Sequence, residues 1–101
     1  MRPRTDFQAL LERTVGHRRV YFQAPEATTL QTPYIVYDRE YVSSDPADDI
    51  KYNGRIRYNV QLVTAKADDP AWPLLLNLPY SNHDRHFVAD KLHHDTFIIY
   101  F

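Results

Sequence analysis

The segment "RIRYNVQLVTAKA", residues 55–67, constrains the fold more than any other stretch of this chain. From residue 55 to residue 62 two kinds of side chain alternate without a break. Ile56, Tyr58, Val60 and Leu62 face one way, and Arg55, Arg57, Asn59 and Gln61 face the other. A period of two is the mark of a strand with one buried face, because successive strand side chains point to opposite sides of a sheet. Such a strand needs neighbours to pair with and a layer to cover its apolar side.

The remaining segments supply both. "RRVYFQAP" reads as a short strand over 19–24 stopped by Pro25, and "PYIVYDREYVSS" as a strand over 33–43, rich in β-branched and aromatic residues. In the second, Ile35, Tyr37 and Tyr41 share one face and Tyr34 and Val36 the other, and both faces are usable as core. "RHFVADKLHHDTFIIYF" reads as a closing hairpin, with Arg85–Val88 outward, a turn over 89–91 and His93–Phe101 returning. Two helices are expected. The first spans about 5–15, capped by Thr5 or Asp6, with Phe7, Leu10, Leu11 and Thr14 or Val15 at helical spacing and Gly16 ending it. The second lies in "DDPAWPLLLNLP", with an Asp cap, Pro70 at its start and Trp72, Leu75 and Leu76 as its buried stripe, shortened by Pro73.

The expected fold is therefore one α+β domain over residues 1–101, a small, mostly antiparallel sheet packed by one long and one short helix. Its order is α-β-β-β-α-β, the last element a hairpin. Eight Tyr and five Phe against two Gly fit a sheet with half-exposed aromatic faces. The segment "SSDPADDIKYNG" is long for a hairpin loop and is therefore expected to be either mobile or recruited by a partner.

The same residues narrow the chemistry. Without cysteine there is no disulfide, no thiolate nucleophile and no Cys-based zinc site. No signal-peptide core and no 18-residue apolar run is present, so a soluble chain made in a cytoplasm, with no membrane partner, is expected. A net charge of −1 gives no global attraction to nucleic acid, despite the basic and aromatic interleaving of "RRVYF" and "RIRYNV". Two glycines cannot build a phosphate loop, and no nucleophile elbow occurs.

"NHDRHFVADKLHHD", residues 82–95, holds four of the five histidines. A small metal-dependent hydrolase would use His83, His86, His93 and Asp95. However, His93 and His94 are consecutive on a predicted strand and point to opposite faces, so at most His93 and Asp95 share one. The plainer reading, cross-strand hydrogen-bonding residues on a sheet, is preferred, with no metal and no cofactor.

Charge layout says more. Residues 1–20 carry a balance of +3 and residues 38–50 a balance of −4. A chain with a positive end and a negative loop can match copies of itself head to tail, the geometry that closes into rings. The candidate contact residues are Arg18, Arg19, Asp45, Asp48, Asp49, Lys51, Asp90 and Lys91.

Taken in order, "VYFQAPE", "TPYIVYDRE", "YNGRIRYNVQLVTAKADDP" and "LPYSNHDRHFVADKLHHDTFIIYF" resemble the small tail-terminator or tail-completion (neck) proteins of long-tailed bacteriophages, over roughly 18–101. The resemblance implies a helix-strand-strand-strand-helix-strand subunit with no enzymatic activity. It implies assembly in the host cytoplasm as a homo-oligomeric ring, commonly a hexamer, on the last ring of tail-tube protein in the virion. There it would stop tube growth and meet a head-proximal neck or connector protein, with genomic DNA passing through without specific binding. A head-to-tail adaptor or connector ring is the alternative role within the same class. "PAWPLLLNLP" is a poorer helix than the family order asks for.

Overall fold

A computed structural model describes residues 3–17, 19–23, 32–39 and 55–101. Its elements are helix α1 (Arg4–Val15), strands β1 (Val20–Phe22), β2 (Tyr34–Arg39) and β3 (Arg57–Thr64), helix α2 (Ala71–Leu76), and strands β4 (Ser81–Ala89) and β5 (Leu92–Tyr100). The five strands form one sheet in the order β1-β2-β3-β5-β4. The α+β class and the one long and one short helix expected from sequence are present.

The sheet is mixed rather than simply antiparallel. β2–β3, β3–β5 and β5–β4 are antiparallel, whereas β1 lies parallel to β2, with Val20 opposite Ile35 and Phe22 opposite Tyr37. The physical reason is the connection. Residues 23–33 are too many for a tight hairpin and long enough to return the chain to the same end of the sheet, which a parallel pair requires. Both early strands are shorter than expected within the described residues, and positions 40–43 of the second lie outside them.

β3 behaves as its alternation demands. Tyr58, Val60 and Leu62 are fully buried, and Ile56 packs partly buried against the same cluster. Register settles the ambiguity of β2: Ile35 pairs with Leu62 and Tyr37 with Val60, so Ile35 and Tyr37 join the core and Tyr34 and Val36 point away. Phe7 of α1 anchors an aromatic cluster. Its ring stacks on Tyr58 at 4.1 Å, meets Tyr37 edge-on at 5.5 Å, and lies 5.1 Å from Phe101. Burying a Phe or Leu of this kind contributes about 1.5–3 kcal/mol.

The helix ends differ in part from expectation. α1 begins at Arg4 after Pro3, without a side-chain cap; the Asp6 amide instead donates to the Pro3 carbonyl at 3.0 Å. Its C-terminus closes on Gly16, whose φ of 79° is left-handed and whose amide reaches Glu12 O at 2.9 Å. At α2, Asp69 Oδ1 accepts the Ala71 amide at 2.9 Å. Ala71 and Leu75 are buried there, while Trp72 and Leu76 pack half-buried at the rim.

The closing hairpin is longer than its apolar residues indicate. β4 starts at Ser81, not Arg85, because β5 provides a paired backbone for a strand whose own side chains are polar and exposed. The turn is two residues, Asp90 and Lys91, both left-handed with φ of 52° and 65°, the type I′ geometry that matches strand twist.

Candidate functional site

The histidine-rich hairpin is organised by a β-bulge. His83 pairs with Phe97 and Arg85 with Thr96, so Asp84 is an extra residue. Residues three apart in a regular strand point to opposite faces. The inserted Asp84 returns His86 to the face of His83, and both rings reach Asp95 across the ladder. His83 Nε2 donates to Asp95 Oδ1 at 3.0 Å and His86 Nδ1 donates to the same oxygen at 2.8 Å. The Asp95 side chain is 6% exposed, and these two bonds are what allow a carboxylate to sit there.

The rings on this side are further held by aromatic neighbours. His83 lies 5.5 Å from Trp72 and 5.3 Å edge-on from Phe97, and His86 stacks on His93 at 5.5 Å. Cross-strand hydrogen bonding is thus the role the histidines of β4 take, with His83 beside Trp72 and Phe97. Among the described residues no group of three or more His, Cys, Asp or Glu side chains is placed to hold a metal ion. Ser81, on the same face, has its Oγ buried with no partner, so it offers no accessible nucleophile to His83. The hydrolase alternative therefore gains no constellation from His83, His86, His93 and Asp95.

The opposite face of the sheet carries neither helix, since α1 and α2 pack against the side of Phe7, Tyr58, Leu75 and Phe97. By register it presents Tyr21, Tyr34, Val36, Gln61, Phe87, His94, Thr96, Ile98 and Tyr100. Except for Phe87, which is 37% exposed, these are half-buried. Val63, on the same side between Tyr34 and His94 in register, is buried. The face is ordered by short ladders. Phe87 stacks on His94 at 4.7 Å with planes 4° apart, Gln61 Nε2 lies 2.8 Å from His94 Nδ1, and Asn59 Nδ2 donates to Asp38 at 3.4 Å. Tyr80, 57% exposed and left-handed at φ 59°, stands at the end of β4 with the Arg55 guanidinium 4.1 Å over its ring.

Of the contact residues read from charge, three are described. Arg19 is engaged within the fold: its Nε donates to Pro33 O at 2.9 Å and its amide to His17 Nδ1 at 3.1 Å. Asp90 and Lys91 form the exposed hairpin tip. Arg18, Asp45, Asp48, Asp49 and Lys51 lie outside the described residues, as does the acidic loop. His17 follows the αL cap of α1, and burial, with the Arg19 charge adding, holds its pKa below the usual histidine value against the opposing pull of Asp69.

Sequence reasoning missed the His83–Asp95–His86 arrangement because a bulge changes which residues share a face. Its only trace is the polar run "SNHDR", which reads as loop rather than as a kinked edge strand. No protein-family model, no curated protein and no solved structure matches this chain.

Proposed function

We propose that this chain is a structural virion subunit. It forms a homo-oligomeric ring at the head-proximal end of a long-tailed phage tail, stops growth of the tail tube and joins tail to head. The observation that carries the reading is the one-sided sheet. Among the described residues, helices cover one face only, and the other carries half-buried Tyr21, Tyr34 and Val36 on one flank and Ile98 and Tyr100 on the other, with Arg57, Asn59 and Gln61 of β3 between them. Half-buried aromatic and aliphatic residues on a face without a helix gain by burial against neighbours. The element order, helix then three strands then helix then hairpin, supports the same reading, since it is the order the resemblance implies. Acidic residues 45, 48 and 49 fit a subunit whose channel repels passing DNA rather than gripping it.

No catalytic step is assigned, and no cofactor. The partners in this reading are other copies of the chain, the tail-tube protein and a head-proximal connector protein. Native mass measurement, alone and with tail-tube protein, tests it. The expected result is either a ring-sized oligomer or a monomer that adds to tube ends, without metal. Stoichiometric zinc surviving purification, or a monomer indifferent to tubes, overturns it. Binding to head connectors but not to tubes would instead favour the adaptor role.

A further inference from the structure

We infer that the outer edge of β4 is a pairing site for a second copy of this chain, through residues 85–89 about a twofold axis at Phe87. The two edges of the sheet differ in length and protection. β1, at one end, is three residues long, and Gln8 Nε2 donates to its Val20 carbonyl at 2.7 Å, capping that edge. β4, at the other end, is nine residues long, and among the described residues no strand pairs with its outer side. Short, capped edges are protected against pairing, whereas β4 is long and, past its polar, bulged first half, carries the exposed apolar Phe87 and Val88.

The register selects the site within β4. The two-residue turn makes Ala89 and Leu92 the closing hydrogen-bonded pair, and antiparallel bonding alternates from there. Phe87 and Arg85 therefore bond inward to β5, while His86 and Val88 direct their N–H and C=O groups outward. The Asp84 bulge breaks this regularity, so the usable edge is the stretch from Arg85 to Ala89. Of the four exposed large apolar residues among the described ones, Phe87 and Val88 lie in that stretch, at 37% and 59% exposure.

A second copy fits this edge in one register. Antiparallel pairing that keeps each face of the sheet on its own side must set residues of like facing opposite one another. With the twofold at Phe87, His86 of each copy exchanges both backbone bonds with Val88 of the other, so every outward group in the stretch is satisfied. Phe87 then faces itself in the close, non-hydrogen-bonded pair, and Arg85 faces Ala89 with Asp90 next along the chain. A shift toward Arg85 sets that arginine against itself or runs the ladder into the bulge. A shift toward Ala89 runs the ladder into the turn. An isologous pair is closed and does not propagate, so this contact is separate from the head-to-tail contacts of a ring and goes beyond that reading.

The native chain has no cysteine, which makes the test clean. Cα atoms across a non-hydrogen-bonded pair lie about 4.5 Å apart, within disulfide reach. Phe87→Cys should cross-link to itself under mild oxidation, whereas Asn82→Cys, beyond the bulge, should not. Wherever the isolated chain does not form a ring, sedimentation equilibrium should show its mass rising from 12.0 kDa toward twice that value with concentration. Val88→Pro removes an outward N–H that β5 does not use, so it should keep the circular dichroism of the wild type and remain monomeric at the same loading. A wild type that stays monomeric at millimolar loading overturns the inference. So does an oligomer in which the Phe87→Cys variant fails to cross-link, or one that Val88→Pro leaves intact.

Discussion

Removing a single oxygen atom from each of two buried tyrosines should move stability in opposite directions. Tyr37 and Tyr58 are both fully buried, their rings lie 6.0 Å apart, and both touch Phe7. Their hydroxyls differ. Tyr37 Oη donates to Gln8 Oε1 and accepts from Arg4 Nη1 at 2.9 Å, so it ties α1 to β2, while Gln8 continues to the Val20 carbonyl of β1. Tyr58 Oη is buried with no partner among the described residues. A neutral hydrogen bond contributes about 1 kcal/mol and one to a charged group about 1.5–3, while an unsatisfied buried hydroxyl costs about 1–3. Because Arg4 is partly exposed and can rehydrate, Tyr37→Phe should cost about 2 kcal/mol rather than the full sum. Tyr58→Phe keeps the ring stacked on Phe7 and should gain about 1 kcal/mol. At roughly 4–8 °C per kcal/mol for a domain of this size, thermal melts followed by circular dichroism should fall by about 10 °C and rise by about 5 °C respectively. The Tyr58 variant carries a second signature. Burial, partly opposed by Arg39, raises the phenol pKa above 10.0, so the folded state holds its proton after the unfolded state has lost it. Stability is then lost as pH rises above 10.0, and Phe at this position should remove that part of the loss. Shifts of the same sign in the two variants would refute this reading of the core.

Four further outcomes are expected. Asp95→Ala should destabilise by about 2 kcal/mol in urea melts, because two imidazoles lose their common acceptor, and a change within error would deny the clamp its role. Lys91→Gly should stabilise by about 1 kcal/mol, since φ of 65° suits glycine, and a loss would show that the Lys91 side chain holds the turn. His17 keeps a lowered pKa when folded, so its contribution is present above 6.5 and lost as pH falls below it. The stability difference between about pH 7.5 and about pH 5.5, either side of the ordinary value, should therefore be smaller in His17→Gln than in wild type. Replacing Asp45, Asp48 and Asp49 together by Ser should leave a folded protein that assembles poorly, and undiminished assembly would remove the loop from the proposed contacts.

Much of the fold was legible because period-two patterning is local information. The alternation from Ile56 to Leu62 specified β3 and its buried face without knowledge of any partner. β2 shows the limit: Ile35, Tyr37, Tyr34 and Val36 are all apolar or aromatic, and only pairing with Val60 and Leu62 decides which pair goes inside. The parallel placement of β1 depends on where a connection delivers the chain, which composition does not encode. The sequence marks β4 only from Arg85, because the polar residues before it gain strand geometry from β5 rather than from their own propensity. For the histidines, alternation placed His93 and His94 on opposite faces correctly. It missed that one extra residue, Asp84, turns His83 and His86 into a pair gripping Asp95. The half-exposed aromatic face expected from composition holds Tyr21, Tyr34 and Tyr100, whereas the Phe22 ring turns inward and lies under the Arg4 guanidinium at 4.4 Å.

Termination of tail growth is the claim on which the functional account rests, and electron micrographs of tails assembled with and without this protein test it most directly. Tubes of defined length, each closed by a ring at the head-proximal end, are expected when the protein is present, and overlong, open-ended tubes when it is absent. Tubes of unchanged length in its absence, with no added density at their ends in its presence, would contradict the claim.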